Sequence, residues 1–486
     1  MRRLLLLSSL LVVALVMGAC DSFVESVDQP KDTAGSPSFT DDQEARFLLR
    51  GVQAQWADAH DLTSTTADFL SDQFRFGLNG DATFPTFGQL DRGRPQEQNN
   101  SVDAALNAVG EYRFLADDLL RRANEIEFTD QATASETELR YVGNLHGAIA
   151  RHYYATYFGL NPREGGGVID TSEFIPSPSM YQRAETKYAE ALSQAQSLGE
   201  GAFVGPARAQ KIVQSLRARS ALYAGTHDFD ASGGLQGDAA LQMAATYASE
   251  GLVEGDAPYS VPYTVQDPNE YADQAGRQRL QMVAQDGFLL NETVSNSNAY
   301  RRDEDGSLLV RSWITDVILQ NPNELARVPL ASIRGGPSFT ALTQENAGEE
   351  INLWFELLQG NEPEDAPFEF AQDKYQEDSA IPVITWQEMY LIRAELELRG
   401  YDTGSESALE LVNAVRSSFG LSDRSSVNLD VIAVERDRTL FAEGQRLPDQ
   451  RRLDGAPWHL NETVEGGTTW KWLPITRQEL DNNPNL

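Results

Sequence analysis

Apolar positions recur at helical spacing through much of the first half of the chain. Ala45, Leu48, Leu49, Val52, Trp56 and Ala59 form one stripe, behind a capping pair at Thr40 and Gln43. Residues 61–100 mix Gly, Pro, Asn and Phe without a period and predict a loop. A second helix is predicted over 101–127, with Tyr112, Leu115, Leu119, Ala123 and Ile126 on one face. A third covers 135–158, capped by Ser135 and Glu138. Gly143, Gly147 and Ala150 give it a strip of small residues suited to close helix packing.

Three more helices are predicted over 179–198, 206–223 and 238–253. Small residues sit at their packing positions: Ala184 and Ala191, then Ala218 and Ala221, then Ala244 and Ala248. Ala184 with Ala218, and Tyr188 with Leu222, stand 34 residues apart, a period that resembles tetratricopeptide helix pairs. From about 255 to 382 the period fails and Pro, Gly, Asn and aromatics dominate, with short strands such as 307–310. Helices return over 386–399, 405–419 and 430–443, and 470–486 reads as extended. The expected fold is mainly α: tetratricopeptide-like helix pairs forming a scaffold, with a loop-rich ligand-binding region and a few short strands. No linker divides the chain after 38. The expectation is one domain over 39–486, made of a helical part (39–255), a loop-rich insert (256–385) and a C-terminal part (386–486).

The first residues carry an address. Arg2 and Arg3 precede an apolar run from Leu4 to Val16, too short for a comfortable membrane span. Gly18 and Ala19 then lead into Cys20, the only cysteine in the chain. This pattern resembles a bacterial lipobox, which implies a signal peptide over 1–19 and a lipid on Cys20. Residues 20–38 read as a flexible tether. Plain secretion with cleavage near Ala19 is the alternative.

Charge narrows the partners. The chain has 39 basic and 73 acidic residues, a net charge of -34. Such a surface repels phosphate backbones, so no nucleic-acid partner is expected. Only five lysines occur, and an acidic, lysine-poor surface stays hydrated in concentrated salt, a halophilic composition. Motifs of common chemistry are missing: no P-loop, no G-x-S-x-G and no H-E-x-x-H. His146 and His152 share a helix but face different ways. No catalytic residue and no cofactor is assigned. Asp228, Asp230, Ser232 and Gly233 match the start of a calcium loop, but Ala239 stands where its bidentate Glu belongs. A looser structural calcium site at Asp228, Asp230 and Ser232 competes with a plain Asp/Gly turn.

The C-terminal third holds the most specific pattern. Glu435-Arg436 is followed by Leu440, then Glu443-Gly444-x-Arg446-x-x-Asp449-x-x-Arg452. Met389 to Glu395 ends in an Ala-Glu pair, Leu411 to Arg416 reads L-V-N-A-V-R, and Leu473-Pro474-Ile475 precedes Asn483-Pro484. In order and spacing these pieces resemble the SusD-like (RagB/SusD) outer-membrane lipoproteins. Thr439, Gln450 and Trp386 depart from that pattern and mark a divergent member. Glu443, Arg446, Asp449 and Arg452 can pair at three-residue spacing, so a structural ion network is expected of them.

The resemblance implies a surface lipoprotein that captures oligosaccharide, or another oligomeric nutrient, for a SusC-like TonB-dependent transporter, without catalysis. A peptide receptor of the same architecture, a secreted glycoside hydrolase and a ligand-free helical scaffold are the alternatives. Sugar capture needs flat aromatic faces. The aromatic-rich stretches are 74–94 and 296–313, and Phe76, Phe84, Phe87, Tyr300 and Trp313 are the candidate ligand residues.

Overall fold

A computed structural model describes residues 44–71, 73–76, 85–91, 93–130, 132–199, 201–227, 229–273, 282–286, 300–302, 308–310, 321–334, 368–453, 463–464, 467–468 and 470–486. The signal peptide, Cys20, the tether and the capping pair at Thr40 lie outside the described residues.

The fold is mainly α, as expected. The N-terminal half is a series of helices: α1 (Ala45–Leu70), α2 (Pro85–Asp91), α3 (Asn100–Ala123), α4 (Glu136–Tyr157), α5 (Ser177–Ala195), α6 (Pro206–Thr226) and α7 (Gly237–Ser249). Helices α3 to α7 pack each on the next, and α1 lies on α3. Asn99 caps α3 by accepting from the backbone N–H of Ser101 and Val102. Ser135 caps α4 by accepting from Glu138 N, but the Glu138 carboxylate turns to Arg46 at 2.7 Å instead of closing a capping box. The small-residue strip does its expected work. A side chain at Gly143 would collide with Leu120 of α3 at 2.8 Å, so only glycine allows this approach. Ala184, Tyr188, Ala218 and Leu222 are all fully buried, as their 34-residue spacing predicts.

The predicted loop over 61–100 is wrong in two places. Helix α1 continues through Leu70, and 85–91 is helical. The end of α1 hides its period because its polar residues are buried. Asp61, Thr63, Thr65, Thr66 and Asp68 all face the interior. The hydroxyls of Thr65 and Thr66 donate back to the carbonyls of Asp61 (2.8 Å) and Leu62 (2.6 Å), which satisfies them inside the helix.

Short strands decorate this scaffold. A four-stranded antiparallel sheet has the order β1 (Arg75–Phe76), β6 (Met282–Asp286), β10 (Phe368–Gln372), β9 (Leu330–Arg334). A second joins β14 (Leu473–Pro474), β2 (Phe158–Asn161), β3 (Glu164–Gly167) and β4 (Ile175–Pro176), with β14 parallel to β2. Ribbons form from β5 (Tyr259–Val261) with β11 (Ile381–Ile384), β7 (Tyr300–Arg302) with β8 (Leu308–Val310), and β12 (Thr463–Val464) with β13 (Gly467–Thr468). The remaining helices are α8 (Glu270–Asp273), α9 (Pro322–Arg327), α10 (Trp386–Leu398), α11 (Ala408–Ser418), α12 (Leu429–Thr439), α13 (Arg446–Arg452) and α14 (Arg477–Asn482). Helix α10 touches α6, α7, α11 and α12, so it couples the N-terminal scaffold to the signature region. One cluster of buried apolar residues runs from Ala45 to Ile475. Among the described residues no helix is long and apolar enough to cross a membrane.

Candidate functional site

The sequence leads us to expect the ligand face on two aromatic-rich stretches, and the structure shows what the root of the first is tied to. Strand β1 follows α1 and pairs with β6 of the insert. Behind it, Phe74 is fully buried and packs 5.3 Å from Phe441 of the signature turn and 6.2 Å from Tyr271 of α8. Three distant stretches therefore meet at one point: the link from α1 to β1, α8 and the signature.

A polar knot fastens this meeting point. Asp68 is fully buried, and its carboxyl accepts from Tyr271 Oη and, at 3.2 Å, from the backbone N–H of Gly444. Gly444 has φ +71° and lies against Ser64, where a side chain would collide at 2.8 Å. Both facts require glycine there. Lys374, just after β10, donates to the Glu443 carboxylate (2.8 Å) and to the Phe441 carbonyl (2.7 Å). Burial pushes Asp68 up to about 7, against the opposing pull of Tyr271, Gly444 and Arg446. Burial likewise raises Glu443, despite Lys374.

The signature does form an ion network, but with other partners than three-residue spacing suggests. Arg452 pairs with Asp449 (2.7 Å), at the expected three-residue spacing. Arg452 also reaches Glu395 of α10 at 2.6 Å. Asp449 receives Arg436 at 2.9 Å. Arg446 pairs with Asp437 at 2.6 Å and donates to the Ser71 carbonyl at 2.8 Å, which binds it to the end of α1. Glu443 pairs with Lys374. The physical reason is that the chain turns at Ala442 and Gly444, both at positive φ, so Glu443 leaves the helical row before α13 begins. Glu435 sits at the centre of a second cluster. It contacts Arg327 and Arg416 (2.7 Å), both buried, and the half-buried Arg424 (2.8 Å). Burial alone would raise its carboxyl, but the three guanidinium groups prevail and hold it well below the usual carboxylate range. Beside these clusters Arg219 of α6 is held by Glu388 of α10.

Three of the histidines belong to the core. Burial lowers His60, His146 and His152 to about 3, so each is neutral. His60 Nδ1 lies 2.7 Å from Tyr153 Oη and His146 Nδ1 lies 2.7 Å from Tyr112 Oη.

The expected ligand residues divide. Phe87 is a correction: it is buried on α2 and stacks on Phe69 at 4.7 Å, so its ring serves the core. Phe76 lies in β1 and Tyr300 in β7, while Phe84 and Trp313 lie outside the described residues. For the calcium motif, Asp230 and Ser232 are exposed on the turn after α6, and Asp228 lies outside the described residues. Sequence reasoning missed Asp68, Tyr271, Lys374, Arg219 and Glu388. Their partners lie 67 to 376 residues away, and no local period marks them.

No family model and no curated protein matches the chain by sequence. Solved structures do match by shape. Surface glycan-binding protein A from Bacteroides thetaiotaomicron is 14% identical with a TM-score of 0.59, over 91% of this chain and 97% of that one. A SusD superfamily protein from Parabacteroides distasonis is 12% identical with a TM-score of 0.58, over 91% and 98%. A laminarin-binding SusD-like protein is 16% identical with a TM-score of 0.56, over 92% and 100%. Helix pairs, a strand-bearing insert rooted in a buried signature and this end-to-end likeness agree: the chain has the SusD-like fold.

Proposed function

We propose that this protein is a lipid-anchored binding protein of the outer cell surface, with one SusD-like domain over 39–486. It captures an oligosaccharide without cleaving it and hands it to a SusC-like TonB-dependent transporter. The observation that supports this most is the end-to-end likeness to structures named for glycan binding, including one in complex with laminarihexaose. The lipobox at Cys20 supports the anchor. The ligand face is built by 74–94 and 296–313, with Phe76, Phe84, Tyr300 and Trp313 as stacking candidates. Calorimetry of wild type and Trp313→Ala with laminarin oligosaccharides and with peptides tests this reading. Loss of one stacking ring is expected to weaken the glycan about tenfold. Unchanged affinity sinks the face assignment. Tighter peptide binding moves the ligand class, and release of shortened sugar ends the non-catalytic reading.

A further inference from the structure

Helix α1 carries two buried aspartates, Asp61 and Asp68, two turns apart and therefore on one face. Both hold the same short helix. The Asp61 carboxyl accepts from the backbone N–H of Glu270 at 2.5 Å, and the Asp68 carboxyl accepts from Tyr271 Oη. Consecutive residues of α8 thus hang on the two acids. Only one oxygen of each carboxyl is used. Asp61 Oδ1 and Asp68 Oδ1 are buried and have no hydrogen-bond partner among the described residues. A buried carboxylate with a bare oxygen is costly, and a neutral carboxyl in its place costs far less.

The surroundings also disfavour ionisation. Asp61 faces Asp58 on its own helix, Asp267 in the turn before α8, and Glu270 on α8. The Tyr263 phenol lies beside it and donates to the Ala57 carbonyl at 3.2 Å. Asp68 faces Glu443 and Arg446 of the signature, and the phenols of Tyr271, Tyr157 and Tyr375. Arg446 is the one cation among these groups, and it already pairs with Asp437 at 2.6 Å. Burial, and then the neighbouring carboxylates, push Asp61 well up, and burial pushes Asp68 up to about 7. Burial raises all four phenols, so they stay protonated.

We propose that Asp61 and Asp68 form a proton-operated latch: with both carboxyls protonated α1 holds α8, and when they ionise α8 leaves α1 while the helical scaffold stays folded. Other polar bonds tie this corner to the end of β10 and the segment behind it. Gln372 donates to the Tyr271 carbonyl at 3.0 Å, and Asn269 donates to the Gln376 carbonyl at 2.7 Å. These bonds can persist when α8 parts from α1. In the open state water solvates both carboxylates, which then return to the ordinary value of 3.8. The closed state therefore binds protons that the open state releases, and the latch weakens as pH rises. It works whatever ligand the protein takes.

The test is hydrogen exchange read by mass spectrometry on the full chain, from about pH 5.5 to about pH 8.5, with each rate corrected for an unstructured peptide at the same pH. Each proton lost on opening raises the open population by up to about tenfold per pH unit. Protection of the Glu270 and Gly444 amides is expected to fall at least about tenfold across this range, while protection in α5 stays level. The double variant Asp61→Asn, Asp68→Asn replaces both carboxyls by neutral amides of the same shape and is expected to flatten the fall. Should that variant not fold, the wild-type profile alone decides. Level protection at Glu270 and Gly444, a fall of the same size in α5, or an undiminished fall in the double variant overturns the latch.

Discussion

The two halves of this protein are held together by different physics. In the scaffold, Ala184, Ala191, Ala218, Ala221 and Tyr188 are fully buried, and helices meet through small residues and rings. In the signature region the fully buried side chains include Arg436, Glu435 and Arg327, joined in ion pairs that span α9 to α13. Apolar packing is non-directional and tolerates a shifted neighbour. A buried ion pair recovers little net energy after desolvation, but it penalises every arrangement in which one partner is missing. The signature therefore fixes which distant segments meet, and the scaffold supplies most of the burial. The knot at Asp68, Gly444 and Lys374 is where the two meet and where the insert is rooted.

The largest test of that contrast is Glu435→Ala. It leaves the buried Arg327 and Arg416, with the half-buried Arg424, around an absent charge. A loss of about 3–5 kcal/mol is expected from denaturant titration. A loss below about 1 kcal/mol would mean the cluster behaves like an exposed surface pair.

A pH experiment follows at the junction. Asp68 has an ordinary value of 3.8 and is raised to about 7 when folded. Between those values the folded state holds a proton that the unfolded state has released. Its contribution to stability is thus complete below 3.8 and is lost as pH rises through about 7. The buried histidines act in the opposite sense. With folded values near 3 against 6.5, they favour the fold above 6.5 and lose that contribution as pH falls. Asp68→Asn removes only the first effect. Relative to wild type, the variant should gain stability between pH 4 and pH 8 by on the order of 2–4 kcal/mol. A pH-independent difference in melting would show that Asp68 is ionised in the fold.

Much of the scaffold was legible because its periodicity is a local property. Seven predicted helices between 101 and 419 appear within a few residues of their expected ends, since small and apolar residues recur every turn. The end of α1 was not legible, because Asp61, Thr63, Thr65, Thr66 and Asp68 are buried polar residues, and the partners of Asp61, Thr65, Thr66 and Asp68 follow no hydrophobic pattern. The signature was legible as an ion network, but not in its pairing. Arg219 meets Glu388 across 169 positions and Arg327 meets Glu435 across 108. Contacts of that separation belong to topology, not to spacing. Phe87 shows the converse error: an aromatic in an apparently aperiodic stretch was expected at the surface, yet it pairs with Phe69 in the core.

The smallest expected effect gives the sharpest contrast. Tyr188 of α5 is fully buried, and its hydroxyl has no hydrogen-bond partner among the described residues. Tyr271 is equally buried, but its hydroxyl donates to Asp68. In a scaffold held by shape, the Tyr188 oxygen is incidental, and removing it relieves an unpaired polar atom. Tyr188→Phe should leave stability unchanged or raise it by up to about 1 kcal/mol. Tyr271→Phe strands the Asp68 carboxyl and should cost about 1 kcal/mol or more. The same atom is deleted in both variants, so the difference between them isolates the partner from the ring. If Tyr188→Phe destabilises as much as Tyr271→Phe, the scaffold too depends on directed polar contacts, and the division between the two regions fails.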